Sequence, residues 1–117
     1  MKFSESLKNN QQFQTVYKTK NSYANKYLVM YIRENGLGKN RIGISVSKKV
    51  GNSVVRHRVT RLVRETYRLH ESVFNSGLDI VVVARQSAKD VNFYEIESAF
   101  LHLAKLHKII KVLFYES

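Results

Sequence analysis

Within LDIVVVAR, residues 78–85, the apolar run Ile80–Ala84 is unbroken, with Asp79 and Arg85 at its two ends. Its length and β-branched content suit a strand rather than a helix, and a strand with no polar face must be covered on both sides. The rest of the chain therefore has to supply cover for two faces. Two segments upstream read as its partners. In RIGISVS, Ile42, Ile44 and Val46 alternate with Arg41, Gly43, Ser45 and Ser47, the period-two pattern of a half-buried strand over Arg41–Ser47. A preceding strand over Tyr27–Arg33 puts Leu28, Met30 and Ile32 on one face. Tyr27, Val29 and Tyr31 lie on the other, so that face is either covered or a binding surface.

Three helical segments surround these strands. Phe13, Val16 and Tyr17 stand at i, i+3 and i+4 after a start near Asn9 or Asn10. A second helix opens at Asn52 or Ser53, with Gly77 as a plausible stop. In the third, Asn92 followed by Glu95 is a capping signal. Phe93, Ile96, Phe100, Leu103 and Ile110 then keep helical spacing as far as about Leu113. The expected order is α-β-β-α-β-α, an α+β sandwich-like single domain over residues 1–117 (core about 9–113), with helices packed on one mixed sheet.

The second helix carries most of the functional information. Val55, Val59, Leu62, Val63, Thr66 and Leu69 fall on one side of a helical wheel. His57, Arg61, Arg64 and Arg68 fall opposite, and Arg56 and Arg58 flank the stripe. Lys48 and Lys49 precede it, and only Glu65 interrupts the basic residues from 48 to 68. A solvated helix face normally mixes signs, so this one calls for an anion. Arginine forks suit phosphate oxygens, and the N–H groups at Gly51 and Asn52 add a positive helix end. With 20 Lys and Arg against 9 Asp and Glu, a net charge of +11, nucleic acid is the first candidate partner and an anionic membrane the second. A helix-turn-helix reading fails because the flanking elements are strands rather than a short helix.

Other chemistries find little support. The chain has no cysteine, so thiolate metal sites and disulfides are excluded. The acids are scattered, and His102 and His107 lie five apart without a zinc-type motif. No apolar stretch reaches membrane-spanning length and MKFSESLKNN is no secretory signal, so the expectation is a cytoplasmic protein.

The segment RIGISVSKKVGNSVVRHRVTRLVRETYR, followed by DIVVVARQSAKD and preceded by FQTVYKTKNSYANKYLVMY, closely resembles the bacterial ribonuclease P protein subunit. The resemblance runs from about Phe13 to Leu103. It implies a protein that binds a large catalytic RNA and assists it in removing the 5′ leader of precursor tRNA, with Mg2+ held mainly by the RNA. It also implies a left-handed β-α-β crossover, no membrane and no DNA. Carried onto this chain, the catalytic-RNA surface comprises Lys48, Lys49, Asn52, Arg56, His57, Arg58, Arg61, Arg64 and Arg68. The leader-binding cleft comprises Phe13, Tyr17, Lys18, Tyr31 and Ala84, with Lys20 beside it. No residue of the chain is expected to be catalytic. Three positions depart from the family pattern: His57 replaces the usual Asn, Thr60 a common basic residue, and Ser87 the usual proline. A ribosomal or other purely structural RNA-binding protein is the rival reading. A stand-alone nuclease would need a carboxylate cluster that the sequence does not show.

Overall fold

The structure, a computed structural model, describes residues 3–111. One five-stranded sheet organises the chain: β1 Ser4–Ser6, β2 Ser22–Ala24, β3 Leu28–Glu34, β4 Asn40–Ser45 and β5 Leu78–Ala84. They lie in the order β1-β4-β5-β3-β2. The apolar run is the central strand: β5 pairs in parallel with β4 and antiparallel with β3. The helices are α1 Asn10–Tyr17, α2 Ser53–His70 and α3 Phe93–Leu106, with 3-10 turns at Glu71–Val73 and Gln86–Ala88. The mixed sheet, the three helices and their order match the sequence reading.

Alternation along β3, β4 and β5 sorts their side chains between two cores. Leu28, Met30, Ile32, Ile42, Ile80 and Val82 join Val59, Val63 and Tyr67 of α2 and Ile96, Phe100 and Leu103 of α3. On the other face Val81 meets Val16 of α1 and Leu7, with Phe13, Tyr17, Tyr31 and Val83 packed around them. So α2 and α3 cover one face and α1 the other, as a two-sided apolar strand requires. α2 makes the crossover between the parallel strands β4 and β5.

Several boundaries differ from the sequence reading. β1 and β2 were not foreseen: each has three residues, and SES and SYA carry no apolar alternation. Backbone pairing to β4 and β3 is what defines them. α2 ends at His70, and its 3-10 turn and a loop intervene before Gly77, which adopts a left-handed φ of 81°. Leu69, placed on the apolar side by the wheel, is 51% exposed, while Tyr67 is fully buried. α3 ends at Leu106 because Lys108 takes a left-handed φ of 60°. Ile110 instead forms an isolated bridge to Phe74, and Leu113 lies outside the described residues.

Both long helices begin as their sequences ask. Asn52 Oδ1 accepts from Val55 N at 3.0 Å. Asn92 and Glu95 exchange both bonds of a capping box, at 2.9 and 3.0 Å.

Candidate nucleic-acid interface

The basic side of α2 separates into cations that are occupied and cations that are free. Arg58 Nη1 donates to the Lys89 carbonyl at 3.2 Å and its Nη2 to the Val91 carbonyl, so this guanidinium ties α2 to the loop before α3. Arg68 is held by Glu65 through bonds of 2.9 and 2.6 Å, and burial of neither is appreciable. Hydrogen bonds from Arg68 draw the exposed Glu65 carboxyl below its ordinary range. Arg64 Nη1 reaches Ser6 Oγ at 2.9 Å and keeps its other donors. The side chains of Arg61 and His57 are exposed and make no hydrogen bond or ion pair among the described residues. Arg61 and Arg64 together border two grooves along the helix, one floored by Leu62, the other reaching Ser53, Arg56 and Thr60. Arg56 Nη2 touches Ser53 Oγ at 3.3 Å. Its Nε is the one buried side-chain nitrogen among the described residues with no acceptor.

Lys48 and Lys49 are exposed in the turn between β4 and α2, and Asn52 spends its side-chain oxygen on the helix cap. The nine residues expected on this surface therefore do different work. Arg58 and Asn52 are structural in their contacts and Arg68 is paired, whereas Lys48, Lys49, His57, Arg61 and much of Arg56 and Arg64 keep side-chain nitrogens without a partner among the described residues.

The opposite face of the sheet carries the aromatic group. α1 runs across the strands, with the Phe13 ring over Gly43 of β4 and Tyr17 beside Tyr31 of β3. Tyr17 and Tyr31 meet edge to face at 4.9 Å between centroids, and Phe13 lies 6.4 Å from Tyr17. All three rings are half-buried, so each packs with part of its surface and offers the rest. Lys18 caps the C-terminal end of α1 and is exposed, as is Lys20 two residues on.

Ala84 does not join this group. It is an even-numbered residue of β5, pairs with Leu28, and faces the α2–α3 core at 6% exposure. It borders instead a separate cleft of about 720 Å³ at the C-terminal ends of β4 and β5, with Lys26, Lys49, Arg85 and Ser87 around it. Ser87 Oγ donates to the Lys26 carbonyl, and Arg85 Nη1 to that of Asn25 at 2.9 Å, joining the walls. Lys26 and Arg85 were not singled out in the sequence. Each is an isolated cation in a turn, and only the fold brings them to Lys49.

Among the described residues no three His, Cys, Asp or Glu side chains gather as metal ligands. His102 meets the Asn25 amide at 3.2 Å, and His107 Nε2 lies 2.8 Å from the Met30 carbonyl. Burial holds His107 below its ordinary pKa, against the opposing pull of that carbonyl.

A mixed α+β sheet with one arginine-lined helix face and one aromatic face defines a class of small basic protein built around a nucleic-acid partner. A sequence model of the family Ribonuclease P matches residues 1–108. The ribonuclease P protein component of Lachnoclostridium phytofermentans is 69% identical over 92% of each chain. That of Alkaliphilus metalliredigens is 52% identical over 94% of this chain and 99% of its own. Among solved structures, the Staphylococcus aureus RNase P protein superposes with a TM-score of 0.84 at 39% identity, covering 91% of this chain and 97% of that one. The Thermotoga maritima RNase P protein gives 0.79 at 32% identity, over 86% and 96%. The chain belongs to the ribonuclease P protein family, the protein component of a ribonucleoprotein endoribonuclease of tRNA processing, and its partner is accordingly RNA. The family is bacterial, and no helix among the described residues is long and apolar enough to cross a membrane.

Proposed function

We infer that this chain holds the catalytic RNA with the free arginines of α2 and the 5′ leader of precursor tRNA with the aromatic face of α1 and β3. One observation carries the reading. Two surfaces suited to different forms of RNA stand on opposite sides of a single sheet, which lets the protein touch both partners at once. The α2 surface offers the exposed guanidinium of Arg61 and part of that of Arg64, and Glu65 on the same helix is committed to Arg68. That suits the phosphates of a folded RNA, where each contact releases counterions. The aromatic face offers half-exposed rings, on which unpaired bases stack with little regard to sequence. Exposed Lys18 and Lys20 beside it supply charge for the connecting phosphates.

In this reading Mg2+ is held mainly by the RNA and supplies the hydrolytic chemistry there. The described residues of this chain present no cluster suited to hold it. The protein's part is to bind and orient: it adds affinity for the single strand that distinguishes precursor from mature tRNA. It thereby lowers the magnesium concentration at which substrate is held productively.

The test is reconstitution. Catalytic RNA is assayed on precursor tRNA at low magnesium, with and without the protein, and the protein is assayed alone. Cleavage at the mature 5′ end only with both components supports the reading. Equal cleavage without the protein would make it a structural RNA-binding protein, and cleavage by the protein alone would make it a nuclease.

A further inference from the structure

Arg33 follows Tyr31 by two residues on β3 and so stands on the same face of the sheet. In the register it is opposite Asp79 of β5, which is itself opposite Arg41 of β4. Two guanidinium groups thus flank one carboxylate, and they are not held equally. Arg41 grips Asp79 with Nε and Nη2, both at 2.8 Å, and Asn35 Nδ2 adds a bond of 2.9 Å. Arg33 Nη1 makes the remaining contact, the longest of the set at 3.3 Å. The Asp79 side chain is 1% exposed and that of Arg41 19%, but that of Arg33 is 35%.

Arg33 is therefore the displaceable partner. It uses one of its five donors, and if it swings away Asp79 keeps its bidentate bond to Arg41 and its bond to Asn35. The row retains a surplus positive charge. Of the nearest acids, Glu5 is bonded to Lys39 at 2.7 Å, and Glu34 alternates to the other face of the strand. The turn after α1 also closes on this end of β3: Ile32 N donates to the Asn21 carbonyl at 3.0 Å, and Thr19 Oγ1 to the Ile32 carbonyl at 3.4 Å. Exposed Lys18 and Lys20 thus belong to the same neighbourhood as Tyr31 and Arg33.

We propose that Arg33 clamps a phosphate of single-stranded RNA adjacent to the base stacked at Tyr31, making the end of the aromatic face a paired stacking and phosphate site. This rests on the assignment of the aromatic face to the precursor leader, which the experiment tests separately. A neighbouring stack and guanidinium fix both the base plane and the backbone, so Arg33 governs how firmly the leader is positioned rather than which base is chosen.

Holoenzyme is assembled with the wild type, Arg33→Leu, Arg33→Lys and Tyr31→Ala. Affinities for precursor and for mature tRNA are measured across a salt series, with a melting curve for each protein. The expected result is that Arg33→Leu weakens precursor binding roughly tenfold at low salt, the scale of one charged hydrogen-bonding contact. Its salt slope should fall by about 0.7, the value for one single-strand phosphate. Mature tRNA binding should stay unchanged, and Arg33→Lys should recover much of the loss. If Tyr31→Ala weakens precursor selectively while Arg33→Leu leaves it unchanged, the Arg33 clamp is wrong and the leader face stands. Loss shared equally by precursor and mature tRNA, together with a lowered melting temperature, makes Arg33 a packing residue and also overturns the clamp. If neither variant affects precursor binding, the assignment of the face itself falls.

Discussion

Gly43 lies directly beneath the ring of Phe13: a Cβ built on it would stand 2.6 Å from Phe13 Cζ and 2.9 Å from Leu7 Cδ1. Both distances are closer than carbon atoms approach, so the absence of a side chain on β4 is what lets α1 settle onto the sheet. Gly43→Ala should push the Phe13 ring and the start of α1 outward, at about 1–3 kcal/mol in stability. Thermal melting reads that cost. The same variant should lose affinity for leader-bearing RNA with no change in binding of the catalytic RNA, because α2 lies across the sheet. An unchanged melting temperature would mean that α1 rides freely on β4.

The arginines of α2 should divide by their contacts. Arg58→Ala leaves the Lys89 and Val91 carbonyls without their donors and should destabilise the fold by about 1–3 kcal/mol. Arg61→Ala removes no internal bond, so its melting temperature should match the wild type. Its loss should show in the log–log salt slope for catalytic-RNA binding, by nearly one unit in a duplex-like region. Reversed behaviour of the two variants would exchange their roles.

That division marks where sequence reasoning stops. The wheel of α2 separates cation from core, because helical periodicity alone sets which side a residue faces. It cannot show that Arg58 is consumed by carbonyls from residues 89 and 91, since those reach it only through the tertiary fold. Tyr67 is missed for a related reason. Its hydroxyl bonds to Ser4 and Asn40, at 2.6 and 3.1 Å, so a residue with a polar tip becomes a fully buried core ring. The central strand, by contrast, is legible because its apolar run leaves one physical solution. Ala84 falls between these cases. Its strand is correct, but the alternation of β5 sends it to the face opposite Tyr31.

Acid should unfold the protein partly through Asp79. Burial alone would raise its pKa, but hydrogen bonds from Arg41 and Asn35 and the charges of Arg41 and Arg33 outweigh this and hold it low. A carboxyl lowered in the folded state contributes stability that is complete above the unfolded value, near 3.9. That contribution is lost as pH falls through the folded value. Asp79→Asn removes it and leaves two arginines short of a counter-charge, at a cost of about 3–5 kcal/mol at neutral pH. Denaturant melts from pH 7 to pH 2 should show wild-type stability dropping more steeply than that of the variant below pH 4. Parallel curves would mean that Asp79 is not the titrating group.

Tyr31 gives the most direct test of how precursor is told from mature tRNA. Its ring is half-buried against Tyr17 at 4.9 Å between centroids and presents the remainder to solvent on the α1 face. If a leader base stacks there, Tyr31→Ala should weaken precursor binding by about 1–3 kcal/mol, and toward the lower end because part of the ring is already packed. Mature tRNA has no leader to lose, so its affinity should hold. Truncating a partly buried tyrosine also costs stability, and a melting curve must show the variant folded at the assay temperature. Tyr31→Phe separates the two effects: it keeps the stacking surface, and the Tyr31 hydroxyl makes no hydrogen bond among the described residues. Near-wild-type precursor affinity with Phe and a selective loss with Ala identify stacking on the ring. Equal loss of precursor and mature tRNA with Ala would reduce Tyr31 to a packing residue of α1 and move the leader elsewhere.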